Sequence, residues 1–299
     1  MEKRTRIDLF GAAALSGFAL LLAFNQVVIK VTNGGLQPVF FAGLRSAGAV
    51  ICIYLWLRWR GIPLRFEKGT RRAGLLIGVV FSFEFLFLFV ALDLTAVSRA
   101  SVIFYSMPVW LAIMAHLVLP NDKITPIKAV GLALALAGVA IAILSRNDGV
   151  GNLWGDLAAL GAAIGWALTA MLAKASSLSR VRPEIQLMWQ VGVSAPLLLI
   201  AAFFFGPLIR DLEPIHMAGL LFQIVVVVSA GFIFWLWLLS VYPASGVASF
   251  SFLSPVLAVG LGWLMLGEEV GSGLIVALVL VAIGIVLINR PPKSRKTSL

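Results

Sequence analysis

Ten times along its length the chain runs through about twenty almost wholly apolar residues, the length a helix needs to cross the hydrocarbon of a bilayer. The runs are approximately Leu9 to Val31, Val39 to Leu57, Ala73 to Leu92, Thr95 to Val118, Ile127 to Leu144, Leu153 to Ala173, Ile185 to Phe205, Met217 to Ser240, Gly246 to Leu266 and Gly273 to Ile288. Hydrocarbon offers no partner to a bare N–H or C=O, so segments of this kind are viable there only as helices that satisfy their own backbone. Little chain remains for a soluble domain. Only 12% of residues are charged, about half the fraction of an ordinary soluble domain. The expected fold is therefore an all-α integral membrane protein with ten transmembrane helices.

The formal charge of +10 does not point to nucleic acid, because the basic residues are strung between apolar runs and form no basic face. Their placement instead sets orientation, since Lys and Arg are retained in cytoplasmic loops. With the N-terminus inside, most of them fall on the cytoplasmic side, whereas the outer segments carry Lys30, Arg99, Arg146 and Arg210 and the second run contains Arg45. Both termini are expected in the cytoplasm. Lys3, Arg4 and Arg6 before an apolar run also describe a signal peptide, but Leu9 to Val31 is too long for one and lacks a convincing cleavage site, so it is read as a retained span. Cys52 is the single cysteine and lies in an apolar run, which excludes an intramolecular disulfide and a cysteine metal cluster. His116 and His216 come from distant segments, and His116 has no second ligand at suitable spacing, so no metal or other cofactor is expected.

The chain also repeats itself. The stretch Asp93 to Leu119 returns as Ser240 to Leu266, with Ser98 on Ser245, Tyr105 on Phe252, Pro108 on Pro255 and Leu119 on Leu266. Gly11, Ala14, Gly17 and Lys30 of the first run likewise fall on Gly155, Ala158, Gly161 and Lys174 of the sixth. Two halves are expected, residues 1–148 and 149–299. Five spans per half is an odd number, so the second half enters the membrane from the opposite side, and inverted repeats of this kind hold substrate near the midplane, around a central cavity.

A few polar or helix-breaking residues inside the runs carry the functional reading. Pro108 and Pro255 each remove a backbone donor and free the carbonyl four residues earlier, at Phe104 and Ser251; the alternatives are packing kinks or hinges beside a cavity. Glu84, in Phe83-Glu84-Phe85, is the one acidic residue deep in a run, and an intramembrane carboxyl usually faces protein or a water-filled path. It is either a protonatable group or partner for a substrate ammonium, or else a carboxyl bonded to another helix or neutralised by Arg45. Asn25, Gln26, Gln190 and Arg45 are further intramembrane polar candidates, though interhelical hydrogen bonds account for Asn25 and Gln26 equally well. Trp166, Tyr105 and Phe83 supply aromatic surface for an apolar or amphipathic ligand. Gly74 with Gly78, and Gly161 with Gly165, mark close helix crossings. Glu268 and Glu269 read as an exposed turn.

At Leu266-Gly267-Glu268 after the Pro255 helix, followed by Gly284, the chain resembles EamA-type members of the drug/metabolite transporter superfamily along nearly all its length. The resemblance implies ten helices in two inverted five-helix repeats around a cavity lined by helices one to four and six to nine. In the first half Pro120-Asn121-Asp122 stands where leucine-glycine-glutamate is expected. Within the superfamily the chain is similar to amino-acid exporters, including the YddG-type exporters of aromatic amino acids. That similarity implies substrate contact at Phe83, Glu84, Tyr105 and Trp166, while Met107, aromatic in some of those exporters, implies a more adaptable wall.

The resulting expectation is a non-enzymatic exporter of amino acids and related metabolites, multi-pass in a bacterial inner membrane, monomeric or homodimeric, working by alternating access. Its expected substrate-binding residues are Phe83, Glu84, Tyr105, Met107, Trp166, Asn25 and Ser251, with hinges at Pro108 and Pro255. The alternative is a proton-coupled exporter of hydrophobic cations or drugs built on Glu84.

Overall fold

In the computed structural model, residues 8–119, 123–145, 152–242, 250 and 252–289 are described, and among them the secondary structure is helical with no strand. Among the described residues eight segments are long and apolar enough to cross a membrane, and two shorter apolar helices follow. Helix α1 spans Leu9–Thr32, α2 Pro38–Trp59, α3 Arg71–Leu94, α4 Val97–Phe104, α5 Met107–Val118, α6 Pro126–Leu144 and α7 Leu153–Ala175. Then come α8 (Pro183–Ala202), α9 (Pro214–Phe222), a π-helical stretch Gln223–Gly231 continuing into α10 (Phe232–Val241), α11 (Leu253–Leu266) and α12 (Ser272–Ile288). The apolar runs thus become helices within a few residues, except that the run after Leu94 is split into α4 and α5. The predicted ninth run is described as a helix only from Leu253.

Local chemistry explains the starts. Asp8 Oδ1 accepts the Gly11 N–H at 2.8 Å and caps α1. Proline occupies the first turn of α2, α6 and α8, where the helix has no use for its missing donor. His216, only 8% exposed, completes a capping box at the start of α9 by accepting the Glu213 N–H through Nδ1 at 2.9 Å.

Small residues bring the helices together. A Cβ on Gly284 of α12 would lie 2.6 Å from the Gly131 carbonyl oxygen of α6, so these two helices cross backbone to backbone. Gly74 and Gly78 seat Trp189 and Val193 of α8 against α3, and Gly161 and Gly165 of α7 accept Phe87 and the backbone of Glu84. Helix α3 accordingly packs on both α7 and α8, α2 packs on α8, and α1 packs on α11.

One end of the bundle is tied shut by polar contacts. Arg99, read from sequence as a residue of an outer segment, is buried in α4, where its guanidinium meets Asp156 at 2.6 Å and donates to the Ala142 and Ser145 carbonyls. The Arg210 guanidinium grips Asp93 at 2.7 and 2.9 Å and donates to the Asn33 carbonyl. Lys30 donates to the Asp93 and Thr95 carbonyls, and Leu36 bridges to Ile209. Glu268, expected in a plain exposed turn, instead accepts the Val97 and Ser98 N–H groups at the start of α4, at 2.6 and 2.8 Å. The reason is local: Gly267 takes φ +65°, a left-handed conformation that ends α11 and turns the next side chain inward.

Candidate functional site

A cavity of about 550 Å³ lies in the half of the bundle nearer Asp8 and Asn289, facing away from the tied end. On α1 its lining runs from Leu15 to Gln26 and stops short of the last turn, and Asn289 beyond α12 also contributes. The remaining walls come from α2, α3, the α4–α5 junction, α7, α8, the π-helical stretch with α10, and the start of α11.

The α4–α5 junction shapes one wall. The last bond of α4 runs from the Tyr105 N–H to the Ser101 carbonyl at 2.9 Å, the chain turns through Tyr105 and Ser106, and Val109 N–H returns to the Ser106 carbonyl at 2.8 Å. Pro108 is therefore the second residue of a new helix, and Pro255 the third residue of α11. This corrects the expectation of prolines kinking continuous helices from within: at a helix start the missing donor leaves no bond broken. Met107, Pro108 and Leu111 line the cavity, whereas Pro255 is buried outside it and Ser251 lies outside the described residues.

The aromatic surface gathers around Trp166 of α7. Its ring stacks on Phe104 at 5.0 Å and meets Tyr105 edge-on at 6.2 Å. The Tyr105 hydroxyl lies beside Gln26 of α1 and Ser254 of α11. Farther along, Phe18 stacks on Trp235 at 5.0 Å. Phe83 is not part of this surface. It is 54% exposed on the outer face of α3, stacked near Phe87, because it neighbours Glu84 in sequence and so points to a different side of the helix. Phe81 and Phe85 supply the α3 aromatics that do line the cavity.

Glu84 and Arg45 are the cavity's charged pair. Glu84 is 3% exposed, and its Oε2 accepts the Thr169 hydroxyl at 2.9 Å. Gly165, one turn before Thr169, favours this approach: a Cβ there would sit 3.1 Å from the Glu84 Cα, a tight contact that α3 would have to give way to by a few tenths of an ångström. Arg45 is 5% exposed, with its guanidinium 4.0 Å from the Phe85 ring centroid. The two charges attract each other, yet their atoms do not close into an ion pair. Asn25 and Gln190 also line the cavity, and Asn25 Oδ1 accepts an N–H from the Gln223 side chain of the π-helical stretch.

Of the residues expected at the site, Asn25, Glu84, Tyr105, Met107, Pro108 and Trp166 are brought together here. Thr169, Phe104 and Phe18 were missed, although Gly165 and Thr169 fall one helical turn apart, a spacing that places both on one face of α7. Among the described residues no group of acidic, histidine or cysteine side chains has the arrangement to hold a metal ion.

This architecture has known counterparts. The model of the EamA-like transporter family matches residues 9–144 and again residues 153–290. The chain belongs to the EamA-like transporter family. Within this transporter family it is 26% identical over 273 residues to "Uncharacterized transporter YoaV" of Bacillus subtilis (strain 168), covering 89% of this chain and 92% of that protein. It is 24% identical over 274 residues to "Probable amino-acid metabolite efflux pump" of Escherichia coli (strain K12), covering 87% and 88%. A solved crystal structure superposes with a TM-score of 0.66 at 20% identity over 92% of this chain and 95% of the other, which shows a common fold. The EamA-like membership and the run of apolar helices make this a multi-pass membrane transporter.

Proposed function

We propose that this transporter moves amino acids and related small metabolites out of a bacterial cell across the inner membrane, exposing its cavity alternately to the two sides. The observation carrying this reading is the cavity itself: apolar and aromatic walls, a buried Arg45 and Glu84 at one place in them, and a polar seal at one end. An amino acid presents the complementary surfaces, an apolar side chain and a zwitterionic head. The name of the Escherichia coli relative agrees with this class of cargo. No catalytic group is required, since the cargo leaves unchanged.

In this reading the chain has ten spans in two inverted halves, 1–148 and 149–299, with both termini in the cytoplasm and the cavity open toward them. Reciprocal packing supports the two halves: α1 lies on α11 as α4 and α5 lie on α7, α3 lies on α8 as α2 lies on the π-helical stretch, and α6 meets α12. The α4–α5 junction at Pro108 and the start of α11 at Pro255 act as the hinges, and Asn25, Tyr105, Met107 and Trp166 contact the cargo. The protein works as a monomer or homodimer. A site for hydrophobic cations is disfavoured by Arg45, whose positive charge faces the same space as Glu84.

Uptake of labelled leucine, methionine, phenylalanine, threonine and glutamate into protein-loaded liposomes, against empty ones, tests the proposal. Saturable protein-dependent flux of at least one supports it, and flux equal to that of empty liposomes for a broad amino-acid panel overturns it.

A further inference from the structure

We propose that Arg45 is a carboxylate-binding subsite: the cavity selects cargo that bears a free carboxylate, and Glu84 takes the ammonium of the same molecule. The inference rests on the reading of the cavity as a cargo site and specifies which end of the cargo is read.

Arg45 has the surroundings of a donor without an acceptor. It is 5% exposed, yet its Nε is buried with no hydrogen-bond partner, and among the described residues no side chain or carbonyl accepts a hydrogen bond from it. A guanidinium carries five N–H donors, and a buried donor left unpaired is costly. What the protein does supply beside the guanidinium is aromatic, the Phe85 ring at 4.0 Å and the Phe89 ring at 5.7 Å from its carbon. The rings lie against the guanidinium, and Arg45 is among the residues that line the cavity. Arg99, also buried, is handled differently: it is matched by Asp156 and by two carbonyls. The contrast marks Arg45 as held open for something that arrives.

The chemistry of that visitor follows. A planar fork of N–H donors at membrane depth pairs best with a planar anion through two parallel hydrogen bonds, and a carboxylate has that shape. Glu84 stands next to Phe85 in sequence, has one oxygen engaged by Thr169 and is attracted to Arg45 without touching it in an ion pair. A zwitterion bridging the two neutralises both charges at once and adds no net charge to a low-dielectric site. A cargo with only the ammonium leaves Arg45 unpaired, and one with only the carboxylate leaves Glu84 unpaired. The apolar remainder of the molecule then lies toward Phe104, Tyr105 and Trp166.

Binding to purified full-length protein in nanodiscs, measured by calorimetry, tests the subsite with three matched probes: phenylalanine, its carboxamide, and 3-phenylpropionate, with the leucine series in parallel. In the unaltered protein the carboxamide is expected to bind at least tenfold more weakly than the amino acid. Arg45→Gln is expected to lose at least tenfold for the amino acid and to erase its advantage over the carboxamide, with Arg45→Lys intermediate. If Arg45 merely props α2 against α3, Arg45→Gln weakens amino acid and carboxamide alike, which overturns the proposal, as does equal binding of the two by the unaltered protein. The carboxamide's retained affinity, together with Arg45→Lys, guards against mistaking a misfolded variant for a positive result. Should amino acids fail to bind while 3-phenylpropionate or another monocarboxylate binds in an Arg45-dependent manner, the amino-acid reading falls and the carboxylate subsite stands. If no carboxylate of the panel binds in an Arg45-dependent manner, the subsite falls.

Discussion

The Glu268 carboxylate, one residue past the left-handed Gly267, accepts the Val97 N–H at 2.6 Å and so caps a helix that begins 171 residues earlier in the chain. The second oxygen takes the Ser98 N–H at 2.8 Å. No side chain of α4's own N-cap, Ala96, can do this, so the start of α4 depends on the end of α11. Glu268→Ala is expected to cost about 1–2 kcal/mol of stability, the usual value of a lost cap, seen as a lower melting temperature of the purified protein. Glu269→Ala, exposed next door, is the control and should leave the melting temperature unchanged.

The Arg210–Asp93 pair closes the same end and lies partly in solvent. The bond to Asp93 raises the Arg210 pKa, so the guanidinium is charged throughout the accessible pH range. Exposed pairs contribute about 0–1 kcal/mol, and Asp93→Asn should therefore change the balance between closed and open ends by no more than a few-fold. The measurement is the rate at which a cysteine placed at Ser101, buried just inside this end, reacts with a water-soluble maleimide. A reaction faster by at most a few-fold in Asp93→Asn is the expected result. No change would remove this pair from the seal.

The α6–α12 crossing has no room for a side chain at Gly284. Gly284→Ala would place its Cβ 2.6 Å from the Gly131 carbonyl oxygen and 2.7 Å from the Ala135 Cβ, so the helices must separate, at a cost of roughly 1–3 kcal/mol. Gly260→Ala in α11 meets nothing within 4 Å and should be neutral or slightly stabilising. Thermal unfolding of the two variants side by side gives the comparison.

The helices were legible in the sequence because each had to satisfy its own backbone in hydrocarbon, which forces long apolar runs. Much of the cavity was legible for the complementary reason: Glu84, Arg45, Asn25 and Gln190 are too costly to face lipid, so they face one another across protein. What sequence could not give was angle. Phe83 and Glu84 are neighbours in the chain and about 100° apart on the helix, so one looks outward and the other into the cavity. Pro108 was visible, but whether it kinks a helix or starts one depends on where Tyr105 and Ser106 turn. Glu268 looked like a loop residue because its partners, Val97 and Ser98, lie in the other half of the chain.

The central claim, that one cavity serves both sides of the membrane in turn, is tested most directly by side-specific cysteine labelling. In a Cys52→Ser background, single cysteines replace Leu111, which lines the cavity, and Ser101, which is fully buried toward the tied end with its hydroxyl unpartnered. Membrane-impermeant maleimide is applied to vesicles of each orientation, with and without a transported amino acid. Leu111→Cys is predicted to react from the side of the chain termini and to be protected when the amino acid is present, while Ser101→Cys reacts faster from the opposite side during transport. Labelling of both positions from one side only, unchanged by the amino acid, would contradict the account.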